Sequence, residues 1–153
     1  MSPRAAWRLE TLGFREVYDY VAGKKDWLDA ALAMQGAVEQ RIQLGRRARP
    51  DVPTCRFDER VGEVAKRVRA NGWDQAAVTN QARVLLGWLD AERLDSSPDS
   101  RVEDAMLEGP VTFRPSMVPE ETAQWMDGNQ AGSVLVTSSD GTLIGVARRE
   151  DLH

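Results

Sequence analysis

Few side chains in this chain are placed to do chemistry. Cys55 is its single cysteine. Alone it forms neither an internal disulfide nor a cysteine zinc cluster, and the role of a buried small apolar residue fits it best. His153, the single histidine, brings no triad and no metal set. Glu120-Glu121 and Glu150-Asp151 are adjacent carboxylates, and adjacency in sequence does not make an acid/base pair. A helix start or a solvated surface accounts for both. Trp7, Trp27, Trp73, Trp88 and Trp125 could stack on bases or cage a ligand. They are scattered with no basic interleaving, which favours packing. No P-loop or dinucleotide fingerprint is present. Nothing here assembles a catalytic centre, so the chain is not expected to be an enzyme.

One stretch does carry a pattern. Ser133 to Asp151 reads as two short strands, Val134–Thr137 and Thr142–Val146, joined at Asp140-Gly141. Both turn residues tolerate positive φ, which makes Asp-Gly between apolar runs a strong hairpin signal. The hairpin closes on Arg148, Arg149, Glu150 and Asp151, cations and carboxylates together. The same layout occurs from Gln75 to Arg93, and an offset of 58 holds without gaps from Thr54/Thr112 to Leu94/Leu152. Arg56/Arg114, Glu63/Glu121, Asn71/Asn129, Val78/Val136 and Gly87/Gly145 all obey it. Chance identities would not keep one register across strand, helix and hairpin.

Each copy is expected to be a β-α-β-β unit. A strand starts at Thr54 or Thr112. The helix presents Val61, Val64, Ala65 and Val68 in the first copy, and Thr122, Ala123 and Met126 in the second. Pro119 suits a helix start, and Asp58 or Ser116 is available as a cap. A single unit has too little apolar surface to stand alone; two packed through their sheets share one core.

The rest of the chain bounds the reading. Its 153 residues suit one domain or two small units with a common core. With 42% hydrophobic and 29% charged residues it has an ordinary globular composition. A net charge of −4 gives no global electrostatic case for nucleic acid or an anionic membrane. No apolar run approaches a membrane span, no signal-peptide core is visible, and a reducing cytoplasm is the expected location. Residues 2–12 suggest a helix capped by Ser2, with Pro3 at its first position and Gly13 as its stop. A strand is expected over Val17–Val21 and a second helix from about Asp26 to near Gly36. Residues 37–50, with Gly45, Pro50 and the arginines 41, 46, 47 and 49, read as a solvated linker. The sharper alternative for those arginines is phosphate or nucleic-acid contact, marked by steep salt dependence.

Residues 51–153 resemble the CBS-domain pair, or Bateman module, in the β-α-β-β order, the Val102–Met106 segment VEDAM and the glycine-bearing last strand. The resemblance divides the chain into repeats at 51–100 and 101–153. It implies an adenosyl ligand (AMP, ATP or S-adenosylmethionine) in a cleft between repeats, and a homodimer. The family's motif runs glycine, apolar, any residue, Thr or Ser, any two residues, Asp. Its carboxylate accepts the ribose hydroxyls and its hydroxyl holds phosphate. Copy two offers Gly145, Val146, Arg148 in the hydroxyl position, and Asp151, with Thr112 at the head of its first strand. In copy one Arg93 stands where the Asp belongs and Trp88 is bulky, so that site is expected to be lost. Residues 1–36 resemble the C-terminal part of a rhodanese-like domain: Ser2, Ala5-Ala6, Leu12-Gly13-Phe14, Val17–Tyr20, Gly23 and Trp27. The sulfur-bearing cysteine loop of that family is not among them, so no sulfurtransferase activity is expected of this chain. The alternative reading makes the chain the remainder of a rhodanese–CBS fusion, whose unpaired Val17–Val21 strand would invite association.

Overall fold

The structure, a computed structural model, describes residues 9–17, 26–27 and 43–152. Ser2, Pro3, most of the expected Val17–Val21 strand and helix 26–36, Trp7, Arg41 and His153 lie outside them. Within them, residues 9–11 are helical and Gly13 leaves that turn at φ +92°. Residues 26–27 are helical, and Leu12 and Phe14 are exposed.

From residue 43 the chain runs α1 (Leu44–Arg47), β1 (Thr54–Cys55), α2 (Val61–Ala70), β2 (Ala76–Thr79), β3 (Leu85–Leu89), α3 (Ala91–Ser96) and α4 (Val102–Ala105). It continues with β4 (Leu107–Glu108), β5 (Thr112–Phe113), α5 (Pro119–Asn129), β6 (Ser133–Thr137), β7 (Leu143–Arg148) and a 3-10 turn, Arg149–Leu152. One sheet has the order β1-β2-β3-β4 and the other β5-β6-β7. In each, the first strand pairs parallel to the second and the second antiparallel to the third. Even the irregularities repeat: the register shifts between Val78 and Thr79, and again between Val136 and Thr137.

The helices bury the residues their spacing marks. Val61, Val64 and Val68 are fully buried on α2, and Thr122 and Met126 on α5. Capping differs from expectation. The N-cap positions are Arg60 and Val118, and neither side chain caps. Backbone carbonyls from elsewhere serve the α2 donors instead: Val61 N–H bonds Ser100 O at 3.0 Å and Gly62 N–H bonds Pro98 O at 2.9 Å. Once tertiary contacts satisfy the orphan amides of a first turn, a capping side chain is dispensable. The hairpin tips work through side chains too. The Asp140 carboxylate accepts from Thr142 N–H at 3.1 Å, Asn80 accepts from Ala82 and Val84 N–H at 2.9 Å each, and the left-handed positions are Gly141 and Arg83.

Of the segment 37–50, expected to be a solvated linker, the described residues 43–50 are part of the fold. Leu44 is fully buried, and Leu44 N–H and Gly45 N–H bond Met117 O and Pro115 O at 2.9 and 3.0 Å. Arg49 then bridges Val146 antiparallel, adding a strand-like edge to the second sheet. Val102–Glu108 does the same for the first sheet: Val102 N–H bonds Glu59 O, and β4 pairs with β3. Leu44 and Val102 are themselves 58 apart. The leader of each copy therefore completes the sheet of the other. Gly, Pro and Arg suit this crossing because it is short, edge-bound and partly exposed, which is also why they read as linker.

The copies meet about an approximate two-fold axis. Val84 bridges Thr142, Leu85 N–H bonds Gly141 O at 3.0 Å and Leu143 N–H bonds Arg83 O at 2.9 Å. The Ser133 hydroxyl donates to the Gln75 amide oxygen at 2.9 Å, a contact between residues 58 apart. Equivalent residues touching one another is the signature of an isologous contact, here within one chain. Leu135, Leu143 and Val146 of the second sheet join the buried cluster of the first unit, so the units share a core through their sheets.

Candidate functional site

Where β7 ends, the 3-10 turn is pinned from two sides. Arg149 makes a two-point ion pair with Asp127 of α5, Nε to Oδ1 at 2.7 Å and NH2 to Oδ2 at 2.9 Å. That hydrogen-bonded carboxylate raises the Arg149 pKa above its usual value. Arg149 N–H also bonds Gly132 O at 3.0 Å, and Leu152 is buried beneath. Asp151 is thus presented on a short, fixed turn. Its Oδ2 is buried and has no hydrogen-bond partner among the described residues. An unpartnered buried carboxylate oxygen costs about 1–3 kcal/mol, so this atom calls for a donor.

Asp151 and Glu150 face the first leader across a cleft of about 440 Å³, lined also by Arg46, Arg47, Arg49 and Asp51. A second cleft, of about 800 Å³, runs along the two-fold region between Gln75, Asp90, Ser133, Arg148 and Arg149. Trp73 belongs to both neighbourhoods through its arginines. The Arg148 guanidinium lies 4.5 Å from the centre of the indole and that of Arg49 5.2 Å. Trp73 is only 6% exposed, while the Arg148 and Arg49 side chains keep 25% and 42% of theirs, so the arginines cover the ring and still meet water. Trp73 packs in the core, as its scattered sequence context favours, and the fold also lays two cations on its ring. Residues 49, 73 and 148 lie far apart in sequence, and only the leader exchange brings them together.

Among the residues singled out from sequence, the structure brings some together and separates others. Arg148 lines the larger cleft, stacks on Trp73 and reaches Glu150 at 3.6 Å. Gly145 lies under the first leader: a Cβ there would meet the backbone of Arg49 and come within 3.1 Å of Pro50 N. Val146 is fully buried and bridges Arg49, so its role in the geometry is structural. Thr112 is exposed on β5, separated from β7 by β6, and the leader rather than Thr112 faces Asp151. Sequence reasoning read the arginines 46, 47 and 49 first as linker residues, with phosphate contact as the alternative, and did not place them beside Asp151.

In copy one the corresponding end is closed by its own charges. Asp90 caps α3, accepting from Arg93 N–H at 2.9 Å, and also ion-pairs with the Arg93 guanidinium. Trp88 is 9% exposed. Arg93, the counterpart of Asp151, brings no carboxylate to that position.

Cys55 is buried, and desolvation, helped by the nearby Glu59 charge, pushes its thiol up to about 12. The thiolate is the nucleophile, so the native protein should resist alkylation by iodoacetamide at pH 8, while the urea-unfolded chain reacts. Mass spectrometry showing rapid labelling of the folded protein would contradict this burial. Among the described residues no group of His, Cys, Asp and Glu could hold a metal ion, and no helix is long and apolar enough to cross a membrane.

Comparison with known proteins agrees on the fold. No family model and no curated protein sequence matches the chain. The CBS domains of a transcriptional regulator from Streptococcus pneumoniae superpose with a TM-score of 0.65 at 24% identity, over 72% of this chain and 95% of that one. CBSX2 from Arabidopsis thaliana, a CBS-pair protein, matches with a TM-score of 0.65 at 17% identity, over 74% of this chain and 92% of that one. CBSX2 has also been solved in complex with AMP. The cytosolic domain of the Mg2+ channel MgtE, solved in complex with ATP, gives a TM-score of 0.67 at 23% identity. That match spans 76% of this chain and half of the MgtE chain. The two-unit architecture is that of a CBS-domain pair.

Proposed function

We propose that this chain, carrying the CBS-pair fold, is a non-catalytic regulatory module that takes an adenosyl ligand (AMP, ATP or S-adenosylmethionine) between its first leader and the end of β7. The observation that carries the reading is the buried, unpartnered Oδ2 of Asp151. A ribose hydroxyl is the donor that atom lacks, and Asp151 is the residue that the family motif assigns to the ribose. Arg46 and Arg47, opposite it across the cleft, offer fork-shaped donors to a phosphate, and Arg148 takes the place of the motif's hydroxyl residue. AMP in CBSX2 and ATP in MgtE support the ligand class. Thr112 stays a candidate contact only if a bound ligand extends to β5. A homodimer belongs to the same proposal, and a monomer by sedimentation equilibrium would remove it.

The test is calorimetric titration of the purified chain with AMP, ATP and S-adenosylmethionine, alongside thermal unfolding. Binding to the native state alone stabilises by about 2.7 kcal/mol at a hundred times Kd, so melting rises with ligand concentration. Asp151→Asn, which keeps the shape, should weaken binding at least tenfold, and Asp151→Ala should abolish it. Equal affinity in wild type and both variants would remove Asp151 from the site. Absence of binding by all three ligands would leave only a scaffold role.

A further inference from the structure

The offset of 58 pairs Trp73 with Ala131. Beside Ala131 lies a slot of about 190 Å³, lined also by Trp88, Pro110, Phe113 and Leu135. The counterparts of those four are Val146, Val52, Cys55 and Ala77, and all four belong to the buried cluster that holds Trp73. The same pocket is built twice, and at the Asp151 end the indole of Trp73 fills it.

The filled pocket shares its cover with the Asp151 cleft. Arg49 lines that cleft and lies over the indole. Arg148 also lies over the indole, and it reaches Glu150 of the same cleft. Trp73 itself rides on a loop. It follows Asn71, the C-cap of α2, and Gly72 at φ +72°, and it precedes β2 by three residues. Asn71, Gly72 and Asp74 are exposed, so the ring is held by what it touches and not by its neighbours in the chain. An indole and a purine are flat bicycles of nearly the same outline, and an arginine stacks on either.

We propose that Trp73 is a built-in occupant of the pocket beside Asp151. An adenosyl ligand seats its base there only by displacing the indole, which swings out on the 71–74 loop while Arg49 and Arg148 pass from one ring to the other. The proposal rests on the reading of Asp151 as the ribose partner. The affinity measured in solution is then the intrinsic one reduced by the fraction of chains whose indole is out.

AMP and free adenine are the probes. Trp73→Ala empties the pocket, and calorimetry should show both binding at least tenfold more tightly than to the wild type. Adding Asp151→Asn to that variant should weaken AMP again. Should Trp73→Ala fail to fold, the wild type decides: on saturation with AMP the indole N–H resonance of Trp73, assigned by its loss in Trp73→Phe, should move towards that of a solvent-exposed indole. AMP binding with unchanged affinity in Trp73→Ala, or with the Trp73 resonance unmoved, would overturn the displacement and leave Asp151 in its role. Tighter AMP binding that ignores Asp151→Asn would keep the displacement and remove Asp151. A folded Trp73→Ala chain that takes neither AMP nor adenine overturns both.

Discussion

Leu44→Ala should lower the unfolding free energy by about 2–5 kcal/mol, the usual cost of emptying a buried leucine site. Leu44 is fully buried among Phe113, Met126, Val136 and Leu152, all residues of the second unit. As a linker residue it would cost nothing measurable. Urea denaturation read by tryptophan fluorescence decides between the two, because the midpoint falls while the slope stays fixed if only stability changes. A midpoint within error of wild type would mean that the first leader does not pack on the second unit in solution.

Gly145→Ala should be the more damaging of two matched substitutions. A Cβ at Gly145 meets Arg49 C at 2.7 Å and Pro50 N at 3.1 Å, and backbone on a paired edge cannot easily withdraw. Overpacking of this kind costs roughly 1–3 kcal/mol, and a rigid neighbour puts it at the upper end. At the equivalent Gly87 the nearest atom is the Met106 sulfur at 2.5 Å, the far end of a flexible side chain, with Leu107 O at 3.1 Å. Gly87→Ala should therefore cost less, about 1 kcal/mol, because Met106 can turn aside. Equal losses at the two sites would show that the Arg49 backbone yields as readily as a methionine. The comparison also bears on the motif: the glycine that heads it is required by the crossing leader, whatever the cleft binds.

Much of the fold was legible because it repeats. The offset of 58, the apolar faces of α2 and α5 and the Asp140-Gly141 hairpin all follow from local pattern, and local pattern is what sequence displays directly. The leader exchange was hidden for a physical reason. LGRRARP and VEDAMLE share no residue type at matching positions, and both lack the long apolar period of a core element. A four-residue helix and a bridge draw their stability from what they touch, not from their own propensity. The site suffered accordingly. The motif singles out Asp151 and Arg148, but Arg46, Arg47 and Arg49 come beside Asp151 only through contacts between distant segments. Thr112 was assigned by its place at the head of a strand, and the exchange puts a different segment opposite Asp151.

The crossed leaders also set the order in which this chain can finish itself. On the ribosome Leu44–Pro50 emerges before any strand it will pair with, and its partner β7 is made only after β1 to β6. The first sheet likewise waits for β4, which belongs to the following copy. Neither half is complete when its own residues are out, so no stable intermediate can be banked at the repeat boundary. Contacts this distant in sequence must be closed before they return any stability, which slows folding and keeps apolar surface open meanwhile. A nascent chain of this design stays dependent on β7, and a stop codon just before it would leave Leu44–Pro50 without a place to go.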